Sequence, residues 1–114
     1  MERYIPMITR GRVSRIPLDE IIYIMKVHRK VRIVTREQQY EYYERLENLM
    51  QYLDSRFYTC LKGTVINLDK VERMEERPEE RRIYFLNGEY LLIGRDNFIR
   101  TKQRYAAWLK NLIN

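Results

Sequence analysis

Asn87-Gly88 stands between two short alternating apolar runs, residues 83–86 and 90–93. Asn-Gly in that setting is the strongest short-range signal for a β-hairpin, so this part of the chain is committed to antiparallel strands. The hairpin closes a longer segment, residues 57–95, that begins FYTCLKGTVINLDKV and ends RIYFLNGEYLLIGR. A short basic loop, Leu61-Lys62-Gly63, feeds a β-type run that stops at Asn67. Residues 64–68 and 71–75 read as a pair of short strands around Asp69-Lys70. Residues 75–82, acidic and broken by Pro78, read as a solvent-facing tip.

The N-terminal third also reads as β-structure. Arg10-Gly11 suggests a turn between strands at 4–9 and 12–16, and Pro17 should end the second or leave it on an edge. Residues 20–27 and 30–35 are two further strands, joined through His28-Arg29 with no glycine to tighten the turn. Val31, Ile33 and Thr35 alternate with Arg32, Val34 and Arg36, which predicts one buried and one wet face. Over residues 40–54 the period changes. Tyr43, Leu46, Leu49/Met50 and Leu53 recur at spacings of three and four, predicting one face of a helix. Its early glutamates Glu41, Glu44 and Glu47 suit the positive end. Phe57 and Tyr58 should then pack the chain back on the core. A second helix is predicted over residues 96–114, with Asp96 as its N-cap. The order of strands, helix, strands and helix is that of an α+β fold, mainly β, with antiparallel pairing.

A chain of 114 residues is expected to be one domain with a modest core. Hydrophobic residues make up 45%, enough for folding. No apolar run approaches membrane-spanning length, and the single Cys60 offers no internal disulfide. The expectation is a soluble, cytoplasmic protein without membrane insertion. Its net charge of +6 is unevenly spread. Residues 1–40 carry 9 Lys/Arg against 4 Asp/Glu, residues 41–80 carry 6 against 10, and residues 81–114 carry 7 against 2. Two basic ends flank an acidic middle, and if they fold onto one side they make a positive patch.

Enzyme chemistry finds little support. His28 is the only histidine, Ser14 and Ser55 lack a nucleophile context, and no glycine spacing cradles a phosphate. No metal site can be assembled around His28 with Cys60 as the sole thiol, so no cofactor is expected. The remaining inventory suits nucleic acid. Arg and Lys neutralise phosphates. Arg can also pair with the O6/N7 edge of guanine, and Asn with the N6/N7 edge of adenine. No helix-turn-helix is evident, and the helix predicted over residues 40–54 is acidic. Loops at strand ends are therefore the better candidates. A protein-interaction module using exposed strand edges and the Tyr/Arg-rich surface is the alternative. A single-strand or RNA binder would need exposed aromatics on a sheet face, and the stripe Tyr40, Tyr42, Tyr43 reads rather as core and edge packing.

Five segments in order, RGRVSRIPLDEIIYI (10–24), RKVRIVT (29–35), LENLMQYLDSRFYTC (46–60), TVINLDKVERM (64–74) and IYFLNGEYLLIGR (83–95), resemble the LytTR-type DNA-binding domain. That family usually forms the output half of bacterial response regulators in two-component systems. The resemblance implies an elongated arrangement of small antiparallel sheets with one short mid-chain helix and a C-terminal helix. It also implies a transcription regulator whose loops enter successive major grooves of double-stranded DNA on repeated half-sites, with a possible homodimer on DNA. By position, the contacts would fall to His28, Arg29 and Lys30, to Lys62, and to Arg95 with Asn97. In the second of these segments the family commonly has His, then Arg or Asn, then Ser; here stand Leu61, Lys62 and Gly63, which leaves Lys62 for a phosphate. Met25 stands where an acidic residue is frequent. Asn67 matches a family asparagine and reads as a structural cap. No receiver segment lies within these residues, so the chain reads as a stand-alone regulator or an output domain on its own.

Overall fold

The computed structural model describes residues 2–111. Strands β1 (Tyr4–Ile8) and β2 (Val13–Pro17) form a hairpin by themselves. Strands β3 (Ile21–Val27), β4 (Lys30–Thr35), β5 (Gln39–Tyr43), β6 (Phe57–Leu61) and β7 (Thr64–Asn67) form a five-stranded antiparallel sheet in the order β5-β4-β3-β7-β6. Strands β8 (Val71–Glu76), β9 (Arg81–Phe85) and β10 (Tyr90–Leu92) form a third sheet. Helix α1 (Leu46–Leu49) continues into a 3-10 turn at Met50–Tyr52, and helix α2 (Arg95–Asn111) follows β10. The fold is mainly β and somewhat elongated, with extents of 45 × 35 × 24 Å.

The central sheet is covered on both faces. On one, Ile24, Val31, Ile33 and Val65 meet Ile5, Met7 and Ile16 of the β1–β2 hairpin and Leu49 of α1. On the other, Tyr23, Val34, Cys60 and Ile66 meet Ile83 and Phe85 of β9 and Phe98 and Tyr105 of α2. The wet face expected for β4 is therefore absent at Val34, which is buried. Alternation alone could not show that a third sheet would lie over it. A fully buried Ile or Phe contributes about 1.5–3 kcal/mol, so the two covers do more for the sheet than its hydrogen bonds.

Four expectations need correction. Residues 39–43 form an edge strand rather than the start of a helix, because Tyr40 and Tyr42 alternate with Glu41 and Tyr43 against β4. Tyr42 is buried while Tyr43 is 75% exposed, so Tyr43 is not on a helix core face. Second, β7 and β8 do not pair. The 3-10 turn Leu68–Lys70 sends β8 into another sheet. Third, α2 begins at Arg95 with Phe98 N donating to the Gly94 carbonyl at 2.8 Å, so Asp96 lies in the first turn instead of capping it. Residues 112–114 of the expected helix lie outside the described residues. Finally, the β9–β10 turn is one residue longer than the Asn-Gly pair. Gly88 N donates to the Phe85 carbonyl at 3.0 Å, and only Gly88 takes a positive φ, 91°.

Asn67 fulfils its expected structural role. It is fully buried, its Nδ2 donates to the Ile21 carbonyl at 2.8 Å, and its Oδ1 accepts from Asp69 N at 2.9 Å. It thus ties β7 to the start of β3 and caps the turn that leaves the sheet.

Candidate nucleic-acid interface

Antiparallel pairing decides which turns share an end of the central sheet. Met25 of β3 faces Thr64 of β7, so the end of β3 lies beside the start of β7. The β3–β4 turn (His28-Arg29) and the β6–β7 turn (Lys62-Gly63) are therefore neighbours. A hydrogen bond ties the strand that leads into the first turn to the second turn: Lys26 N, near the end of β3, donates to the Gly63 carbonyl at 2.8 Å. Val27 pairs with Lys30 across the first turn, and Leu61 with Thr64 across the second, so each turn has two residues at its tip.

The first turn is conformationally unusual. His28 has φ 57°, and among the described residues it is the one non-glycine with positive φ. Glycine is the default at the first tip position of such a hairpin. A left-handed non-glycine residue costs energy, and such strain gathers at functional sites. His28 and Arg29 are exposed. Lys30 is half-exposed, with its ammonium 4.8 Å over the Tyr43 ring. In the second turn Gly63 supplies the positive φ, 84°, and leaves Lys62 exposed. Leu61 is half-buried and packs against the core, so it occupies a structural position.

Arg95 and Asn97 sit in the first turn of α2, Arg95 exposed and Asn97 half-buried. Asn97 Oδ1 accepts from the Arg100 guanidinium at 2.6 Å. The direction of α2 tells which end Arg95 occupies. Further along, Arg104 donates to the Ser55 carbonyl at 2.8 Å, just before β6. Tyr105 donates to the Val71 carbonyl at 2.7 Å, and Trp108 Nε1 to Asp69 at 3.0 Å. Those partners mark the end of the sheet opposite Lys62. Helix α2 thus runs antiparallel to β6, and Arg95 starts it toward the Leu61 end.

The cations at this end are largely uncommitted. Among the described residues, Lys26, Arg29, Lys30, Lys62 and Arg95 have no carboxylate within 4.0 Å. Nearby Glu41 is held by Arg32 at 3.1 Å. Lys26 was not expected from the sequence, where it reads as one more strand residue; only its pairing partner shows that it borders the turn. An acidic boundary lies on the Arg95 side. Ile93 N donates to the Arg81 carbonyl, which places the β8–β9 tip close to Gly94, and Glu76 and Glu80 there are bonded to Arg81 and Arg82. At the opposite end, Asp54 binds the Arg56 guanidinium through both oxygens at 2.9 Å. Burial pushes the Asp54 carboxyl up, but Arg56 and Arg3 outweigh it and hold the group below its ordinary value.

The LytTr DNA-binding domain model matches residues 11–106, which include both turns and Arg95. The chain belongs to this family. LytTR domains bind DNA and are not enzymes, so an enzymatic role is set aside. Accessory gene regulator protein A from two strains of Staphylococcus epidermidis is 34% identical over 73 residues, covering 62% of this chain and 29% of the relative. The chain thus spans less than a third of the length of those relatives. A solved structure described as the LytTr DNA-binding domain of a Bacillus cereus protein superposes with a TM-score of 0.67 over 100% of this chain and 99% of that one, at 15% identity. That likeness speaks to the fold of this LytTR domain. Among its described residues no helix is long and apolar enough to cross a membrane.

Proposed function

We propose that this LytTR domain is a sequence-specific reader of double-stranded DNA that regulates transcription in the cytoplasm of a bacterium, as the output part of a response regulator. The observation that carries the reading is that β3–β7 pairing and the Lys26–Gly63 bond set the His28 and Lys62 turns side by side at one sheet end, with uncommitted cations around them. Electrostatic positioning falls to Arg29, Lys30 and Lys62, which bind phosphates. Base reading falls to His28 and Arg95, with Asn97 beside Arg95 once it exchanges Arg100 for a base edge.

Size fits one domain to one major groove and its bordering phosphates. The turn end of the sheet is about 19 Å wide from β5 to β6, four strand spacings. A major groove is about 12 Å wide. A row of cations of that length spans one major groove and the phosphates on both its sides, while the next major groove on that face lies about 34 Å along the duplex. Two domains on repeated half-sites, as a homodimer on DNA, extend the same arrangement.

Selection of bound duplexes from a random pool tests this function. A recurring motif, repeated at one helical turn or a multiple, is the expected result. Retention that is indifferent to sequence, or absent at low salt, would reject it.

A further inference from the structure

The β1–β2 hairpin has a tip whose place in the molecule the three loop segments leave unexplained. Its base lies at the far end of the central sheet, where Leu18 N donates to the Arg3 carbonyl at 3.0 Å. Its tip therefore reaches toward the end that carries His28. There Ile8, Arg10 and Gly11 line an open groove together with Lys30 and Tyr43. The adjoining groove runs from Lys30 and Tyr43 to His28 and Arg29, so tip and turn share one continuous surface.

The tip is ordered by its own bonds. Thr9 N and Thr9 Oγ1 both donate to the Arg12 carbonyl, at 2.9 and 3.3 Å. Arg10 and Arg12 are exposed, and among the described residues neither has a carboxylate within 4.0 Å. Arg12 lies 5.7 Å over the Tyr40 ring. Arg10 takes part in no side-chain hydrogen bond, ion pair or ring contact among the described residues, so the fold does not require its charge.

We propose that this tip is a fourth contact with the duplex, in which Arg10, seconded by Arg12, binds backbone phosphate beside Lys30 and Tyr43. The proposal rests on the DNA reading above and deepens it. Strand order fixes the middle of the row, Lys30, then His28-Arg29, then Lys62; the shared groove sets Arg10 beside Lys30 and Tyr43. Arg10 thus belongs to the hairpin that covers one face of the central sheet, and Arg95 to the helix that covers the other. Phosphate rather than base is the ligand, because a guanidinium on an outlying hairpin meets the duplex where the backbone turns away from the protein. Such a contact adds affinity for every sequence and a larger salt dependence.

Phosphate-ethylation interference on a selected duplex tests it, with wild type, Arg10→Ala, Arg10→Glu, Arg10→Lys and Lys62→Ala, each checked for an unchanged melting curve. Wild type should show a cluster of sensitive phosphates at one edge of the footprint that Lys62→Ala retains. Arg10→Ala and Arg10→Glu should lose that cluster, and Arg10→Lys should keep it. The salt slope of Arg10→Ala should fall by about one unit, with sequence preference unchanged. An interference pattern identical in wild type and Arg10→Glu would overturn the proposal while leaving the three-loop reading intact. A change in self-association alone would assign the tip to a second copy and would equally overturn it. If wild type selects no duplex, the underlying reading fails first and the proposal with it.

Discussion

Replacing His28 separates what the β3–β4 turn does for the fold from what it does for DNA. His28 holds φ 57° without being glycine. The left-handed conformation costs an L-residue about 1–2 kcal/mol. Glycine removes that strain but loses about 0.5–1 kcal/mol through the entropy of its unfolded chain. His28→Gly should therefore raise the unfolding free energy by about 0.5–1 kcal/mol, a melting shift of about 2–5 °C for a domain of this size. His28→Ala keeps the strained backbone and should leave stability within about 0.5 kcal/mol of wild type. Both variants delete the imidazole, so both should weaken binding to a selected duplex by about 1–3 kcal/mol and relax preference at the same base pair. Urea denaturation and a fluorescence-anisotropy titration read the two quantities separately. A His28→Gly domain that loses more than about 1 kcal/mol of stability would show that the imidazole holds the fold together. The same variant with undiminished binding would remove His28 from the interface. Either result refutes the argument that strain is kept there for recognition.

Four further outcomes follow from the same geometry. Arg95→Ala should cost about 1–3 kcal/mol and broaden the selected motif at one position, and an unchanged motif with unchanged affinity would exclude Arg95. Lys62→Ala should weaken all duplexes alike and lower the salt slope by about one unit; a base-selective loss in competition titrations would give Lys62 a different role. Asp54→Asn should cost about 1–2 kcal/mol at pH 7, because it breaks a two-bond pair with Arg56. The Asp54 carboxyl is held below its ordinary 3.8, so its contribution is present above that pH and is lost as pH falls through the lower folded value. Denaturation of wild type and Asp54→Asn should converge only in that acid range. The buried Tyr42 hydroxyl has no hydrogen-bond partner among the described residues, and burial followed by Glu44 pushes it up from 10.0 to about 12. The neutral phenol is thus favoured in the fold, and stability should drop as pH rises from 10 toward 12. Tyr42→Phe should melt no lower than wild type at pH 7 and should lose less stability over that alkaline interval.

Much of the fold was legible because local signals and tertiary structure agreed. Gly88 and the runs beside it gave the last hairpin, and Pro17 ends β2 where expected. Legibility failed where one residue fitted two periods. Tyr43 completes a helical spacing with Leu46, yet Tyr40 and Tyr42 already alternate as a strand, and the free edge of β4 decided between them. Asp96 is a natural cap by residue type, but the Gly94 carbonyl takes the first helical bond. The candidate site was legible as separate turns: His28-Arg29-Lys30, Lys62 and Arg95 all lie at strand or helix ends. That they face one way was an expectation of the family resemblance alone; what sets it, β3 pairing with β7 and the direction of α2, is not written in any local pattern. Lys26 and the Arg10 tip were missed for the same reason. A strand lysine and a turn arginine acquire meaning only when sheet order brings them to the loaded end.

Amide chemical-shift mapping with an isotope-labelled domain tests the shared DNA-facing end most directly, using a selected duplex. Resonances of His28, Arg29, Lys62, Gly63 and Arg95 should move together, while those of Asp19, before β3 at the far end of the central sheet, and of Asn87 and Gly88 in the β9–β10 turn, whose Asn87 lines a groove with Asp19, stay in place. Shifts confined to the Asn87-Gly88 end, with both turns silent at saturation, would contradict the account.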